Sequence, residues 1–161
     1  MSWSYSKFTH SYWTDKRFRS LASSDARFLL LYFMLTPHQN SSGCYRIPVG
    51  YATADLNWSA ERYQAVRVEL IEAGMILYDD ETSEIFIVDW FTHNPAMNDK
   101  HAKGCKREIS NIESECLREA AETAFIKVEE TREPDKPKWK GRTDNSPTPA
   151  LSRLLNPFNR V

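Results

Sequence analysis

Residues 28–35 (FLLLYFML) constrain the fold of this chain most, because they predict a helix that is apolar on every side. Ser23 or Ser24 can cap the helix, Asp25 lies in its first turn, and Pro37 prevents the helix from continuing. A helix that is apolar all round is normally covered on all sides. The sequence therefore predicts a central helix that is buried on every side by the rest of the domain.

Two further helices are predicted downstream, joined by a two-residue turn. Pro48 can open the first, which ends near Leu56. Ser59 can cap the second, which runs to about Ala73, and Gly74 follows where a left-handed residue ends a helix. At about 100° per residue, the inward row of this second helix is Tyr63, Val66, Leu70 and Ile71. Its outward row is Glu61, Ala65, Val68 and Glu72.

Three short extended segments complete the pattern. CYRI (residues 44–47) precedes the helix pair, and MILY (residues 75–78) and IFIVDWF (residues 85–91) follow it as a hairpin. The turn between them is acidic, and we expect solvated carboxylates at Asp79, Asp80, Glu81 and Glu84. A helix-turn-helix followed by a β-hairpin is the element order of a winged-helix domain. The predicted fold class is therefore α+β, a winged helix-turn-helix over residues 1–98.

The remaining chain divides into a helix and a tail. An amphipathic C-terminal helix is predicted over residues 99–127, with an apolar row at Cys105, Ile109, Ile112, Cys116 and Ala120. That row needs a partner surface, either the preceding domain or the same helix of a second copy in a homodimer. Residues 128–161 hold five of the eight prolines and predict a disordered basic tail. A docking motif within the tail, ALSRLLNPF, is predicted at Leu151, Leu154, Leu155 and Phe158.

Charge is distributed unevenly along the chain, although the net charge is only -1. Residues 24–98 contain four basic and ten acidic side chains, whereas residues 134–161 contain six basic and two acidic ones. Phosphate neutralisation supplies most non-specific affinity for DNA. The acidic part of the chain therefore needs help from the basic segments if it is to bind nucleic acid.

Several classes of protein are disfavoured. No stretch approaches the roughly 18 apolar residues of a membrane span, and the three cysteines suit reduced thiols, so we expect a cytoplasmic protein with no membrane partner. The chain has no phosphate-binding Gly-x4-Gly-Lys loop and no nucleophile elbow. His101 and Cys105 lie four residues apart, but neither Cys116 nor His93 completes a zinc spacing. We expect no catalytic residue, no cofactor and no metal.

Residues 12–125 resemble the N-terminal winged-helix domain of phage and prophage replication-initiation proteins of the replisome-organiser type. The most specific matches are Trp13-x-Asp15, Asp25-Ala26-Arg27, Thr36-Pro37-His38-x-Asn40-x-x-Gly43-x-Tyr45-Arg46-Ile47-Pro48, Ala73-Gly74-Met75-Ile76 and His93-Asn94-Pro95. The resemblance implies a replication-associated DNA-binding protein without catalysis. Members of that group usually continue into a second domain, whereas a helix and a basic tail follow here, so helicase loading is not part of the expectation.

Two ways of acting follow from these residues. In the first, the helix over about residues 59–73 enters a major groove, because arginine and glutamine near a helix start can read guanine and adenine. Phosphate contacts would then come from the next helix and the tail. The DNA-binding residues of this hypothesis are Ser59, Arg62, Gln64, Lys100, Lys103, Lys106, Arg107, Lys138, Trp139 and Lys140.

The alternative is a protein-binding module of phage origin. In it the acidic outer face engages a replication or host protein and inhibits or recruits it. The residues of this hypothesis are Glu61, Glu69 and Glu72, together with the docking motif at Leu151, Leu154, Leu155 and Phe158.

Overall fold

The computed structural model describes residues 8–133, which form an α+β structure with a three-stranded antiparallel sheet. A short 3₁₀ helix, His10–Thr14, leads into α1, Lys16–Ser20, and α2, Ser24–Leu35. The Ser23 side chain accepts the N–H of Ala26 and so caps α2, as predicted. The helix ends at Leu35, two residues before Pro37.

The next elements confirm the predicted helix pair and hairpin. They are β1, Cys44–Arg46, α3, Val49–Leu56, α4, Ala60–Glu72, β2, Ile76–Asp79, and β3, Glu84–Ile87. Ser59 caps α4, and Gly74 adopts a φ of 66° after it. The last residues of the extended segment predicted over 85–91 instead belong to a short helix, α5, Trp90–His93.

The prediction of a single C-terminal helix over residues 99–127 was wrong, because the structure has two helices there. They are α6, Asp99–Ser110, and α7, Glu115–Glu129. Residues 111–114 are not helical, and Ser114 caps the start of α7 by accepting the N–H of Leu117. The apolar row is covered by the protein's own core at Cys105, Ile109 and Ile112, so it needs no second copy, whereas Cys116 is exposed.

The sheet has the strand order β1-β3-β2 and is covered on both faces. On one face, Tyr45 and Tyr78 pair with Ile85, and the Tyr45 hydroxyl donates to the Phe33 carbonyl of α2. On the other face, Glu84 accepts backbone N–H groups at the start of α7. All four residues of β3 are buried. Because neighbouring residues of a strand point to opposite faces, the core lies on both sides of this strand.

The prediction that α2 is buried on every side was also wrong. Leu29, Leu30, Phe33 and Met34 are buried, but Phe28 and Leu35 are 53% and 46% exposed. The sheet and α4 cover only one side of α2, so its other side forms an apolar surface of the protein.

Candidate functional site

The outward face of α4 is the surface on which both functional hypotheses depend. The helix packs on α2, α3 and β2 through Tyr63, Val66 and Leu70, which are buried as predicted. The predicted outward row is exposed at Glu61, Ala65, Val68 and Glu72. Ile71 was expected inside, yet it is 37% exposed and borders this face.

Arg67 takes the inward place that Ile71 was expected to hold. Its side chain is only 8% exposed, and its guanidinium carbon lies 3.9 Å from the centre of the Tyr78 ring. It donates to the Asp80 carboxylate at 2.8 Å, so α4 is tied to the β2–β3 turn. Arg67 lies four residues after Tyr63 and three before Leu70, and this helical spacing could have indicated that it is on the inward side.

Two of the three predicted DNA readers at the start of α4, Ser59 and Arg62, are engaged within the protein. The Ser59 hydroxyl oxygen accepts the N–H of Arg62 at 3.2 Å, which is a helix-capping contact. The Arg62 guanidinium forms an ion pair with Asp25 at 2.7 Å and lies 4.2 Å from the centre of the Trp58 ring. Gln64 is exposed and makes no hydrogen bond among residues 8–133. Of the three readers, only Gln64 presents an unengaged side chain.

The three acids of α4 divide into two kinds. Glu69 accepts the N–H of Ser23 at 3.0 Å and its hydroxyl at 2.6 Å, and the hydroxyl bond is the main reason that the Glu69 pKa lies below its usual range. Glu61 is fully exposed, and its own backbone N–H, with the Ser59 hydroxyl, lowers its pKa. Glu72 is exposed as well. Glu61 and Glu72 therefore give the outward face its charge, whereas Glu69 holds α2.

Of the four hairpin acids that the sequence predicted to be solvated, Asp80 and Glu81 are exposed, whereas Asp79 and Glu84 are engaged in the fold. Asp79 accepts the hydroxyl of Ser114 at 2.6 Å, which is the largest cause of its lowered pKa. Glu84 is buried and accepts the N–H groups of Glu113 at 3.2 Å and Ser114 at 2.8 Å. Together with Asp80, which pairs with Arg67, they stabilise the fold.

The basic cluster of α6 lies on a different side of the protein from α4. Its four cations are exposed, namely Lys100, Lys103, Lys106 and Arg107. Within residues 8–133, Arg107 has an ion pair with Glu108 at 3.8 Å and the three lysines have none. Helix α6 packs on α7, which covers the sheet face opposite α4. The structure therefore does not bring the predicted DNA readers at the start of α4 together with the basic cluster of α6.

The remaining predicted site residues lie outside the described residues. These are Lys138, Trp139, Lys140, Leu151, Leu154, Leu155 and Phe158. Among residues 8–133, no group of three or more His, Cys, Asp or Glu side chains is arranged to hold a metal ion. No helix in that range is both long and apolar enough to cross a membrane.

Comparison with family models, with curated proteins and with solved structures finds no match to this chain.

Proposed function

We propose that this chain is a winged-helix protein that recognises another protein through the outward face of α4. The winged-helix assignment is supported by the order α2, β1, α3, α4, β2, β3 and by a sheet in which β3 lies between β1 and β2. The resemblance to phage replication proteins suggests a replication or host protein as the partner.

The composition of the outward face of α4 carries this proposal. Val68 is 47% exposed between Glu61 and Glu72, and its neighbour Ile71 is 37% exposed. Arg62, the arginine of α4 that borders this face, is already paired with Asp25. Two carboxylates around exposed aliphatic side chains repel a phosphate backbone, but they match a partner whose apolar patch has cations at its edge.

Fluorescence anisotropy with labelled duplex DNA separates this proposal from major-groove reading. Gln64→Ala removes the one unengaged reader, and we expect the dissociation constant for any duplex to stay unchanged. A base-reading contact contributes about 1–3 kcal/mol, so a loss of about tenfold or more would contradict the proposal. Glu122→Ala, at an exposed position of α7, is the matched control.

DNA binding is the second candidate, and the exposed cations of α6 favour it at a different place. In this form the DNA backbone follows α6 without base reading. Replacing Lys100, Lys103, Lys106 and Arg107 with glutamine should then reduce the slope of log K against log salt by about 3 to 4, at about 0.9 per phosphate contact. An unchanged slope would remove α6 as a DNA surface.

A further inference from the structure

The exposed side of α2 forms an apolar groove that the α4 proposal does not use. The groove has a volume of about 440 Å³ and is lined by Phe28, Leu31, Tyr32, Leu35, Thr36, Pro37 and Asp55. The four α2 residues follow spacings of three, one and three, which place them on one side of the helix. Its walls are mostly apolar side chains, so water is a poor occupant.

One edge of the groove is polar and well fixed. Asp55 of α3 accepts the Tyr32 hydroxyl at 2.6 Å, and the His38 ring nitrogen Nε2 lies 3.3 Å from the same oxygen. Tyr51, which is 58% exposed, lies against the His38 ring. Asp55 is the one charged side chain in the lining, so the groove combines an apolar floor with a single negative edge.

Residues 150–158 (ALSRLLNPF) have the complementary composition. Leu151, Leu154, Leu155 and Phe158 repeat the spacings of three, one and three, and Arg153 is the one charged residue among them. The wider charges are also complementary, since residues 134–161 carry a net +4 and residues 24–98 a net −6.

The chain is long enough to bring this segment to the groove. A compact domain the size of residues 8–133 has a radius of gyration of about 14 Å and a diameter of about 36 Å. The 17 residues from 134 to 150 can extend over about 56 Å, at about 3.3 Å per residue. The segment can therefore reach any side of the domain without unfolding α7.

We propose that residues 150–158 dock in the α2 groove of their own chain. The leucines and Phe158 cover Phe28, Leu31 and Leu35, and Arg153 pairs with Asp55. The inference is independent of the α4 proposal, because it uses neither the outward face of α4 nor a partner protein.

Site-specific photocrosslinking in the full-length protein tests this inference. With p-benzoylphenylalanine at position 158, we expect a crosslink within one chain to a peptide containing residues 28–37. Leu154→Lys together with Leu155→Lys should abolish it, because two charges cannot enter an apolar groove. These substitutions lie outside the described core, so they test docking without altering it. Phe28→Lys, at an exposed position, should abolish the crosslink from the other side.

Three outcomes would overturn the proposal. Crosslinks to another surface, or a crosslink to residues 28–37 that survives all three lysine substitutions, would exclude specific docking in this groove. A mixture of ¹⁵N-labelled and unlabelled protein distinguishes one chain from two. Crosslinks that join heavy and light chains would assign the groove to the segment of a second copy and contradict docking within one chain.

Discussion

The Glu69 carboxylate of α4 accepts both the backbone N–H and the side-chain hydroxyl of Ser23, the residue that caps α2. A residue at the C-terminal part of one helix thus fixes the start of another that is 46 positions earlier in the chain. Together with the Arg62–Asp25 ion pair, this contact fastens α4 to the first turn of α2 at two points. The outward face of α4 is therefore anchored to the start of α2.

Replacing Glu69 tests this support. We expect Glu69→Ala to lower the free energy of unfolding by about 1 kcal/mol, because two hydrogen bonds to a charged acceptor are lost at a half-exposed site. Glu72→Ala is the matched control on the same helix, and it should change stability by less than about 0.5 kcal/mol. Urea unfolding followed by circular dichroism measures both. Equal effects would mean that the Ser23 contact contributes nothing.

Gly43 is predicted to be the least replaceable glycine among the described residues. It has a φ of 67°, and a Cβ at this position would overlap the Trp90 side chain. Gly43→Ala should destabilise the protein by about 3 kcal/mol or more, from left-handed strain and overpacking together. Gly50→Ala has open space around it within α3 and should be neutral or stabilising by up to about 1 kcal/mol. Thermal unfolding of both variants checks the contrast, and similar melting temperatures would refute it.

Glu84 should contribute far more to stability than Glu81, another acid of the same hairpin. Its buried carboxylate accepts the N–H groups of Glu113 and Ser114. Glu84→Ala leaves both donors without that acceptor, and we expect a loss of about 2–3 kcal/mol. Hydrogen exchange should then accelerate in the first turn of α7. Glu81→Ala, at an exposed position, should change neither quantity, and an equal loss there would argue against the account.

Acid should weaken the fold through Asp79 and Glu69. The Ser114 hydroxyl lowers the pKa of Asp79, and the Ser23 hydroxyl lowers the pKa of Glu69. A depressed carboxyl pKa adds stability that is fully present above the unfolded value of about 4 and is lost as pH falls through the folded value. The melting temperature should therefore drop more between about pH 6 and pH 3 in the natural protein than in Asp79→Asn/Glu69→Gln. Identical pH profiles would disprove the assignment.

The sequence predicted those parts of the fold whose signals are local. Ser23, Ser59 and Gly74 mark the helix ends because capping and left-handed geometry depend on a few neighbouring residues. The break between α6 and α7 was missed because the apolar row continues through Ile112 and Cys116. Ser114 caps α7 locally, but its backbone N–H and hydroxyl also bind Glu84 and Asp79, which are 30 and 35 positions away, and these contacts are not visible in the sequence.

The candidate site was predictable only in part, for the same reason. Helical periodicity identified the outward row of α4 correctly. It did not indicate that Arg62 would pair with Asp25 or that Glu69 would hold Ser23, because these contacts depend on how α2 and α4 pack. The inward position of Arg67 depends likewise on Tyr78 and Asp80 of the hairpin.

The most direct test of protein recognition by α4 is photocrosslinking from the centre of its outward face. With p-benzoylphenylalanine at Ala65 of the full-length protein, in cells that contain its natural partners, we expect adducts with protein. Glu61→Lys together with Glu72→Lys should abolish them, and the same probe at exposed Glu119 of α7 should not form them. Adducts with DNA at position 65, or protein adducts that are indifferent to both charge reversals, would contradict the account.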